Sequence, residues 1–524
     1  MKEGINSTNE FLDKMVYIIN SQRMSFDDVG ELKNVLEQVD GYYKTVIKLD
    51  DFYYEKLYNV LGQDVELYCL VTSAIYDVTN DSRAIVAIED VLLSSEVEPY
   101  TADKILSNVN ILKFAHFEIP NSYKKNRELN KKYLDKYEEK YPCKCLYIPF
   151  EERNKNRIVI ETNTLLEVGH APTRMVLNIC KYLQEGYGYE VFLIVNRSNS
   201  RYEDLAQVWN VPSRYNYRED IEGRFGLNYE GTLINGFQFE WHKDKVDLKD
   251  MVLEFLYEWK PLCVYHIGSP SYRHDIYRKV TTLLSMPCNN GYIESEAQVL
   301  VSYLNNNSKF ILDSLEYINK RKQAVKDIGP LGGLRESEGK NYSKKSLGIP
   351  ENKFAACIVG NRLDMELSND FMEMLVRIAE RKDDIQYVII GKCDKNVFPD
   401  QLQNKLTFLG YQSAFLDVMQ PMDLFINPIR KGGGGGGVCA LQMGTPVVTL
   451  GECDVHALVG DAFACKDLEQ MEETIIKYMD DKEFYNSQVE LAGKWLEMKK
   501  KRNSSDIFGK LMEEVKNDLA NGLI

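Results

Sequence analysis

From residue 157 onward, short β-rich runs alternate with helical segments, and this alternation constrains the fold more than any other feature of the chain. Runs at 157–163, 189–196 and 262–268 are separated by helical stretches such as 173–184 and 248–259. Strand and helix in turn build a parallel sheet with helices on both faces. A glycine- and lysine-rich stretch, 320–353, reads as a linker. Beyond it the pattern restarts, with predicted strands at 354–360, 386–391, 406–411, 424–428 and 446–450 and a helix at 370–381. Two Rossmann-like, doubly wound α/β domains in series are expected, their strand ends facing a cleft where open α/β sheets bind ligands.

The 524 residues exceed what one hydrophobic core organises. Residues 6–141 place apolar side chains at helical spacing, first Phe11, Met15, Ile18 and Ile19, then Val60, Leu67, Leu70, Val71 and Ile75, which predicts a helical appendage. Its polar, lysine-rich end, 122–140, reads as a solvated helix leading out of the domain. The expected organisation is a helical N-terminal appendage at 1–150, a first Rossmann-like domain at 151–325, a second at 326–484 and a C-terminal helical region at 485–524. With 44% hydrophobic and 27% charged residues the chain can bury real cores, and a net charge of −15 offers no basic footprint for nucleic acid. The start lacks the apolar core of a signal peptide, and the most apolar stretch of the first third, 67–76, has half the roughly 20 residues that span a bilayer. Eleven cysteines are scattered without a CxxC pair, and Cys143 and Cys145 lack the partners of a zinc site. These features point to a cytoplasmic protein with no transmembrane segment and no metal, peripheral membrane attachment being left open.

The most distinctive segment is a predicted strand that runs through Arg430 and Lys431 into Gly432, Gly433, Gly434, Gly435, Gly436 and Gly437, followed by a short helix, Gly444-Thr-Pro and another strand. Consecutive glycines let the backbone approach a ligand and aim N–H groups at it, and the helix N-terminus behind them adds partial positive charge. That combination suits a phosphate, with a flexible loop holding no ligand as the alternative. It is not a Walker A loop, because no Lys-Ser or Lys-Thr follows the glycines, and it comes too late in the chain for a dinucleotide fingerprint.

Taken with this segment, the motifs at 359–364 (VGNRLD), 388–392 (VIIGK), 406–411 (LTFLGY) and 444–448 (GTPVV), in that order, resemble those of the GT-B glycosyltransferases, in particular bacterial sugar transferases that modify polysaccharide or protein. The resemblance covers roughly 157–502. A more distant similarity to the O-GlcNAc transferase group runs through 451–456 (GECDVH). The resemblance implies a GT-B fold and metal-independent transfer of a sugar from a nucleotide donor, UDP-linked, to a glycan or protein, with no further cofactor. A diphosphate leaving group gathers charge as the glycosidic bond breaks, so a transferase without a metal needs fixed cations and N–H dipoles aimed at it. Arg362 and Lys392 match the basic positions such families use, and Arg430, Lys431 and the glycines the donor cradle. The loop after the first strand, close to donor sugar and acceptor in these families, carries Gly169, His170 and Arg174, with His170 as the expected base or, alternatively, a helix-capping or loop histidine, and Arg174 reading as a solvated helix residue within reach of a phosphate. His266 and Ser269 are further candidates for sugar contacts, His266 being equally readable as a satisfied core histidine. Glu294 and Glu296 share a face only if their segment is extended.

One departure matters. Many transferases of this fold carry two glutamates eight positions apart around the glycine loop, the later one binding the donor ribose, and here those positions are Lys431 and Cys439. The glycines at 435–437 also replace residues that usually bear hydroxyls or other polar groups. Asp454 or His456 is then expected to reach the ribose in place of the missing carboxylate. The alternative is a non-catalytic pseudo-glycosyltransferase, a binding or chaperone subunit of an active glycosyltransferase. A nucleotide-sugar epimerase is a third reading. The basic run at 499–502 reads as a solvated face or as a contact for an anionic membrane.

Overall fold

The computed structural model describes residues 53–61, 64–116, 119–196, 218–239, 247–269, 271–288, 294–303, 309–329, 334–451, 453–501 and 504–524. The apolar spacing expected at Phe11 to Ile19 lies outside these. The described chain begins with five helices, α1 (Tyr53–Leu61), α2 (Val65–Thr79), α3 (Arg83–Ser94), α4 (Pro99–Ala115) and α5 (Tyr123–Lys140). Leu67, Leu70, Val71 and Ile75 are buried, as is every residue between Leu67 and Tyr76, so this part of α2 is enclosed on all sides. The Asp64 carboxylate accepts the N–H of Leu67 to start this helix, and Asn80 in the left-handed region (φ 55°) stops it.

The lysine-rich segment at 122–140 is not the solvated helix that its composition suggested. Its helix α5 buries Tyr123, Arg127, Leu129, Asn130, Tyr133, Leu134 and Tyr137. Lysine stems lie along the apolar surface while their ammonium heads find carbonyls, as Lys132 does at Leu92, Leu93 and Ser95. Net polarity hid a buried stripe. One apolar cluster runs from Leu70, Ile75 and Ile88 of these helices to Val159, Val264 and Leu283 of the sheet that follows, so the N-terminal helices share a core with that sheet.

That first sheet has eight strands, β1 (Asn154–Thr162), β2 (Glu190–Val195), β3 (Gly223–Tyr229), β4 (Thr232–Gln238), β5 (Pro261–Ile267), β6 (Thr282–Met286), β7 (Val299–Ser302) and β8 (Ala324–Asp327), in the order β3-β4-β2-β1-β5-β6-β7-β8. All neighbours pair in parallel except β3 and β4. These two form a hairpin whose turn residues, Glu230 (φ 48°) and Gly231 (φ 89°), both have positive φ, the geometry that matches strand twist. Strand β8 falls inside the stretch read as a linker and crosses the boundary expected at 325. Four short residues of it pair with β7, a strand too brief to stand out among lysines and glycines. Helices α6 (Ala171–Tyr187), α7 (Asp247–Trp259), α8 (Tyr272–Asp275) and α9 (Lys309–Arg321) complete this unit.

The second sheet is wholly parallel, with β9 (Phe354–Val359), β10 (Ile385–Ile390), β11 (Leu406–Gly410), β12 (Leu424–Ile426), β13 (Val447–Leu450) and β14 (Ala464–Cys465) in the order β11-β10-β9-β12-β13-β14. Its helices are α10 (Leu363–Glu366), α11 (Asn369–Arg381), α12 (Phe415–Val418), α13 (Gly434–Gln442), α14 (Asp454–Val459) and α15 (Leu468–Asp480), followed by α16 (Lys482–Lys500) and α17 (Ser504–Ala520). The last helix returns to the first sheet, where Phe508, Leu511, Met512 and Val515 join the cluster of Ile158, Ile160 and Val176. Among the described residues no helix is long and apolar enough to cross a membrane.

The junction of α5 with the first sheet is held by charge as well as by apolar packing. Arg127, with no exposed side chain, donates to the Ser295 carbonyl and to Gln323 Oε1 (3.0 Å) and pairs with Glu296 (3.2 Å). Glu296 also pairs with Arg321, so Glu294 and Glu296 do not share a site. Replacing Arg127 with alanine strands these acceptors, and urea unfolding of Arg127→Ala is expected to show a loss of about 3–5 kcal/mol. Glu294 accepts from Asn126 Nδ2 (2.6 Å), and burial pushes its carboxyl up to about 7. Between the ordinary carboxylate range and about pH 7 the folded state then holds a proton that the unfolded state has released. Stability falls as pH rises through that window, and Glu294→Gln is expected to flatten this part of the pH profile of the denaturation midpoint.

Candidate functional site

The carboxyl ends of the two sets of parallel strands meet. A methyl group at Gly169, in the loop after β1, would lie 3.4 Å from Oη of Tyr411, the exposed residue that follows β11. His170 sits at the N-cap of α6, half-buried, and its Nδ1 lies 3.0 Å from the Thr173 hydroxyl. That hydroxyl also accepts the N–H of Leu166 (2.8 Å), so the loop that carries His170 is tied to the first turn of the helix it precedes.

The six glycines are not one loop. Gly432 (φ 90°) and Gly433 (φ 78°) make a left-handed turn, and Gly434 to Gly437 already belong to α13. Two of these helical glycines allow close helix contact. A methyl group would stand 2.6 Å from Leu458 Cδ1 at Gly434 and 2.8 Å from Val455 Cγ1 at Gly437, both on α14. Packing therefore accounts for part of a run that the sequence offered as a phosphate cradle.

The cations beside that turn have protein partners. Glu366, four residues beyond Arg362 on α10, takes Arg362 at 2.6 Å and Arg430 at 3.0 Å. Arg430 is almost fully buried under Gly433 and also donates to Asn427 Oδ1 (3.0 Å). Arg362 further donates to the Lys431 carbonyl (3.1 Å), and its guanidinium stacks 4.7 Å from the centre of the Phe114 ring, at the end of α4. The Lys431 ammonium reaches the Lys113 carbonyl (2.7 Å). The N-terminal helices thus lie directly against the glycine turn. Lys392, just past β10, is exposed, and its backbone N–H is held by Asn361 Oδ1 (3.0 Å).

His266 is wholly buried, between the Glu161 carboxylate and the Ser269 carbonyl (3.2 Å), and stacks 3.5 Å from the ring of His274. His266 serves the core of β1 and β5 rather than a surface open to sugar, whereas Ser269, whose carbonyl it meets, is exposed. Glu161, His266 and His274 bring three ligand atoms within 4.8 Å of one another. His274 Nε2, however, accepts the N–H of Ser271 (3.0 Å), which puts the proton of its neutral ring on Nδ1. Burial holds this imidazole well below the ordinary histidine range. In that tautomer His274 offers no free lone pair, and its Nδ1 is buried without a hydrogen-bond partner among the described residues, while Glu161 and His266 bond to each other. His456 pairs with Asp461 (2.7 Å), while Asp454 opens α14 with its carbonyl 3.1 Å from where a methyl group on Gly434 would be. Cys439 is buried in α13, and burial raises its thiol against the opposing pull of Arg335 and Arg174.

Residues 357–481 match the sequence profile described as glycosyl transferases group 1. Across 98% of this chain and 98% of the other, the structure is similar to a mutant of the Thermobaculum terrenum O-GlcNAc transferase, with a TM-score of 0.55 and 11% identity. The chain has the GT-B glycosyltransferase fold. Anabaena HepE in complex with UDP covers 69% of this chain over 100% of its own at 12% identity and a TM-score of 0.45. A trehalose-6-phosphate protein of E. coli bound with UDP-2-fluoro glucose covers 69% over 99% at 10% identity and 0.47. The fold assignment rests on the first of these three. No curated protein matches the sequence significantly.

Sequence reasoning missed Glu366, Phe114 and Arg335. Glu366 had a signal, since a carboxylate four positions from an arginine on a helix pairs with it, but the quoted motif stopped at Asp364. Phe114 had none, because its contact spans separate domains. Removing the Glu366 carboxylate leaves Arg430 buried without its counter-charge. Chemical denaturation of Glu366→Ala is expected to show a loss of about 3–5 kcal/mol.

Proposed function

We propose that this chain transfers a sugar from a UDP-linked nucleotide donor to a hydroxyl or amide of a glycan or protein, without a bound metal. The observation that carries the reading is the placement of His170 in the loop after β1, fixed by Thr173 and opposite Tyr411 of the second sheet. In that position an imidazole takes the acceptor proton as the acceptor attacks the anomeric carbon and the glycosidic oxygen leaves with the diphosphate. Lys392 and the exposed part of Arg362 supply positive charge to that leaving group, the left-handed turn at Gly432 and Gly433 supplies backbone N–H groups, and Asp454 is the carboxylate available to a ribose.

A second reading, a pseudo-glycosyltransferase that binds an active partner, is favoured by specific observations. Cys439 and the glycines at 435–437 provide no hydroxyl or carboxylate, and Phe114 and Lys113 occupy the corner beside Gly432, whose methyl position would lie 3.7 Å from the Phe114 ring. Calorimetric titration with a panel of nucleotide sugars, followed by donor hydrolysis, separates the two. For a transferase, binding and turnover are expected, and His170→Ala is expected to lower turnover about 10²- to 10⁴-fold while leaving donor affinity nearly unchanged. Silence with every common nucleotide sugar, together with tight binding of a second glycosyltransferase, would establish the scaffold instead. Cys439→Glu does not restore a decayed site by itself, because the polar side chains of the preceding turn are absent too.

A further inference from the structure

We propose that Phe114 is a positioning residue of the sugar-transfer site: carried in by the N-terminal helices, its ring sets the plane of the Arg362 guanidinium so that the unbonded edge is presented to the leaving group. This rests on the transferase reading above and deepens it. Lys113 and Phe114 stand in the last turn of α4, and the Lys113 side chain is anchored away from the glycine turn, in a buried pair with Glu89 and a hydrogen bond to Asn126 Oδ1 (3.3 Å). Asn126 in turn donates to Glu294 Oε1 (2.6 Å), in the segment that leads into β7. The end of α4 is thereby fixed to α3, α5 and the first domain, and the place of the Phe114 ring is set before any ligand arrives.

Arg362 is held in two independent ways. Glu366 takes one edge of its guanidinium, accepting from Nε (2.8 Å) and Nη2 (2.6 Å), and Nη2 also donates to the Lys431 carbonyl (3.1 Å). Hydrogen bonds of this kind lie near the guanidinium plane and oppose tilting of that plane only weakly. The Phe114 ring, its centre 4.7 Å from Cζ, closes one face and removes that freedom. Nη1 has no hydrogen-bond partner among the described residues, and 24% of the side chain remains open to solvent. Gly432 brings the parts together, since a methyl group there would stand 3.3 Å from Arg362 Nη2 and 3.7 Å from Phe114 Cζ. The Lys431 ammonium, on the Lys113 carbonyl (2.7 Å), ties the turn to the same end of α4, where the helix dipole favours a cation. For burial alone any apolar side chain at 114 would serve, whereas holding a guanidinium flat requires a ring. Charge on the leaving oxygen grows toward the transition state, so a fixed guanidinium edge acts more strongly there than in the ground state.

The test follows hydrolysis of a panel of UDP-linked sugars, and UDP affinity by calorimetry, in the full chain as wild type, Phe114→Leu, Arg362→Gln and the double variant. Phe255→Leu, which removes a ring stacked on Trp259 of α7, serves as the control for lost stability. Phe114→Leu is expected to lower kcat about 3- to 30-fold with a smaller change in UDP affinity, whereas Phe255→Leu lowers the unfolding midpoint and leaves kcat unchanged. In the Arg362→Gln background the loss of the ring is expected to cost no further turnover, because the ring acts through that arginine. If Phe114→Leu does not fold, Phe114→Met takes its place and the same pattern is expected. Turnover that falls in Arg362→Gln but is unchanged in Phe114→Leu overturns the positioning role and keeps the transferase reading. An equal fall on removing the ring in both backgrounds, or the same fall in Phe255→Leu, also overturns the role, since the ring then serves folding alone. A wild type that neither binds UDP nor hydrolyses any of the UDP-linked sugars defeats the transferase reading and the positioning role with it.

Discussion

A single buried carboxylate, Glu366, organises the corner of the molecule where its domains meet. It holds Arg430 beneath the glycine turn and Arg362 beside it, so the loops after β9 and β12 are fixed to each other by charge. Arg362 in turn presents its flat face to Phe114 and its edge to the Lys431 carbonyl, and Lys431 reaches back to Lys113. The second sheet, the glycine turn and the N-terminal helices are thereby linked through one chain of contacts. Because two arginines share one carboxylate, one positive charge is left over at this corner, and it belongs to Arg362, the more exposed of the pair.

The N-terminal helices are part of the same construction. They share an apolar cluster with one face of the first sheet, and Arg127 and Asn130 of α5 bond the loop that leads into β7 and the last residue of α8. At the other end of the chain, α17 crosses back from the second domain to cover the opposite face of the first sheet. Chain order and spatial order differ at both ends.

The alternation of strands and helices was legible from sequence because a fully buried parallel strand is a short continuous apolar run, as in residues 385–390 and 424–426. The hairpin β3–β4 was not, since its glycines and half-exposed edge weaken the pattern, although Tyr229-Glu-Gly-Thr232 carried a turn signal. Helix α5 was misread because seven buried positions were outvoted by its charged residues, whose long stems cover apolar surface. At the site, residues local to a strand end, such as His170, Arg362 and Lys392, were visible, whereas their partners were not. The contacts of Phe114 with Arg362 and of Gly169 with Tyr411 join positions hundreds of residues apart, and no local pattern encodes them.

Glycine at 434 and 437 shows how a motif can carry two meanings. At both positions α13 approaches α14 so closely that a methyl group would have to displace Leu458 or Val455, so packing alone gives these glycines a reason. Gly432 and Gly433 are required by positive φ, and Gly433 in addition by Arg430 below it. Gly435 and Gly436 have neither a positive φ nor a contact with α14. Gly436 has the ring of Phe425 at 3.2 Å from its methyl position, a contact a small side chain could accommodate by a slight shift, and Gly435 faces Arg335. Of the three positions where the resembling transferases carry polar side chains, Gly437 packs on α14, Gly436 lies against Phe425, and Gly435 alone lies beneath Arg335.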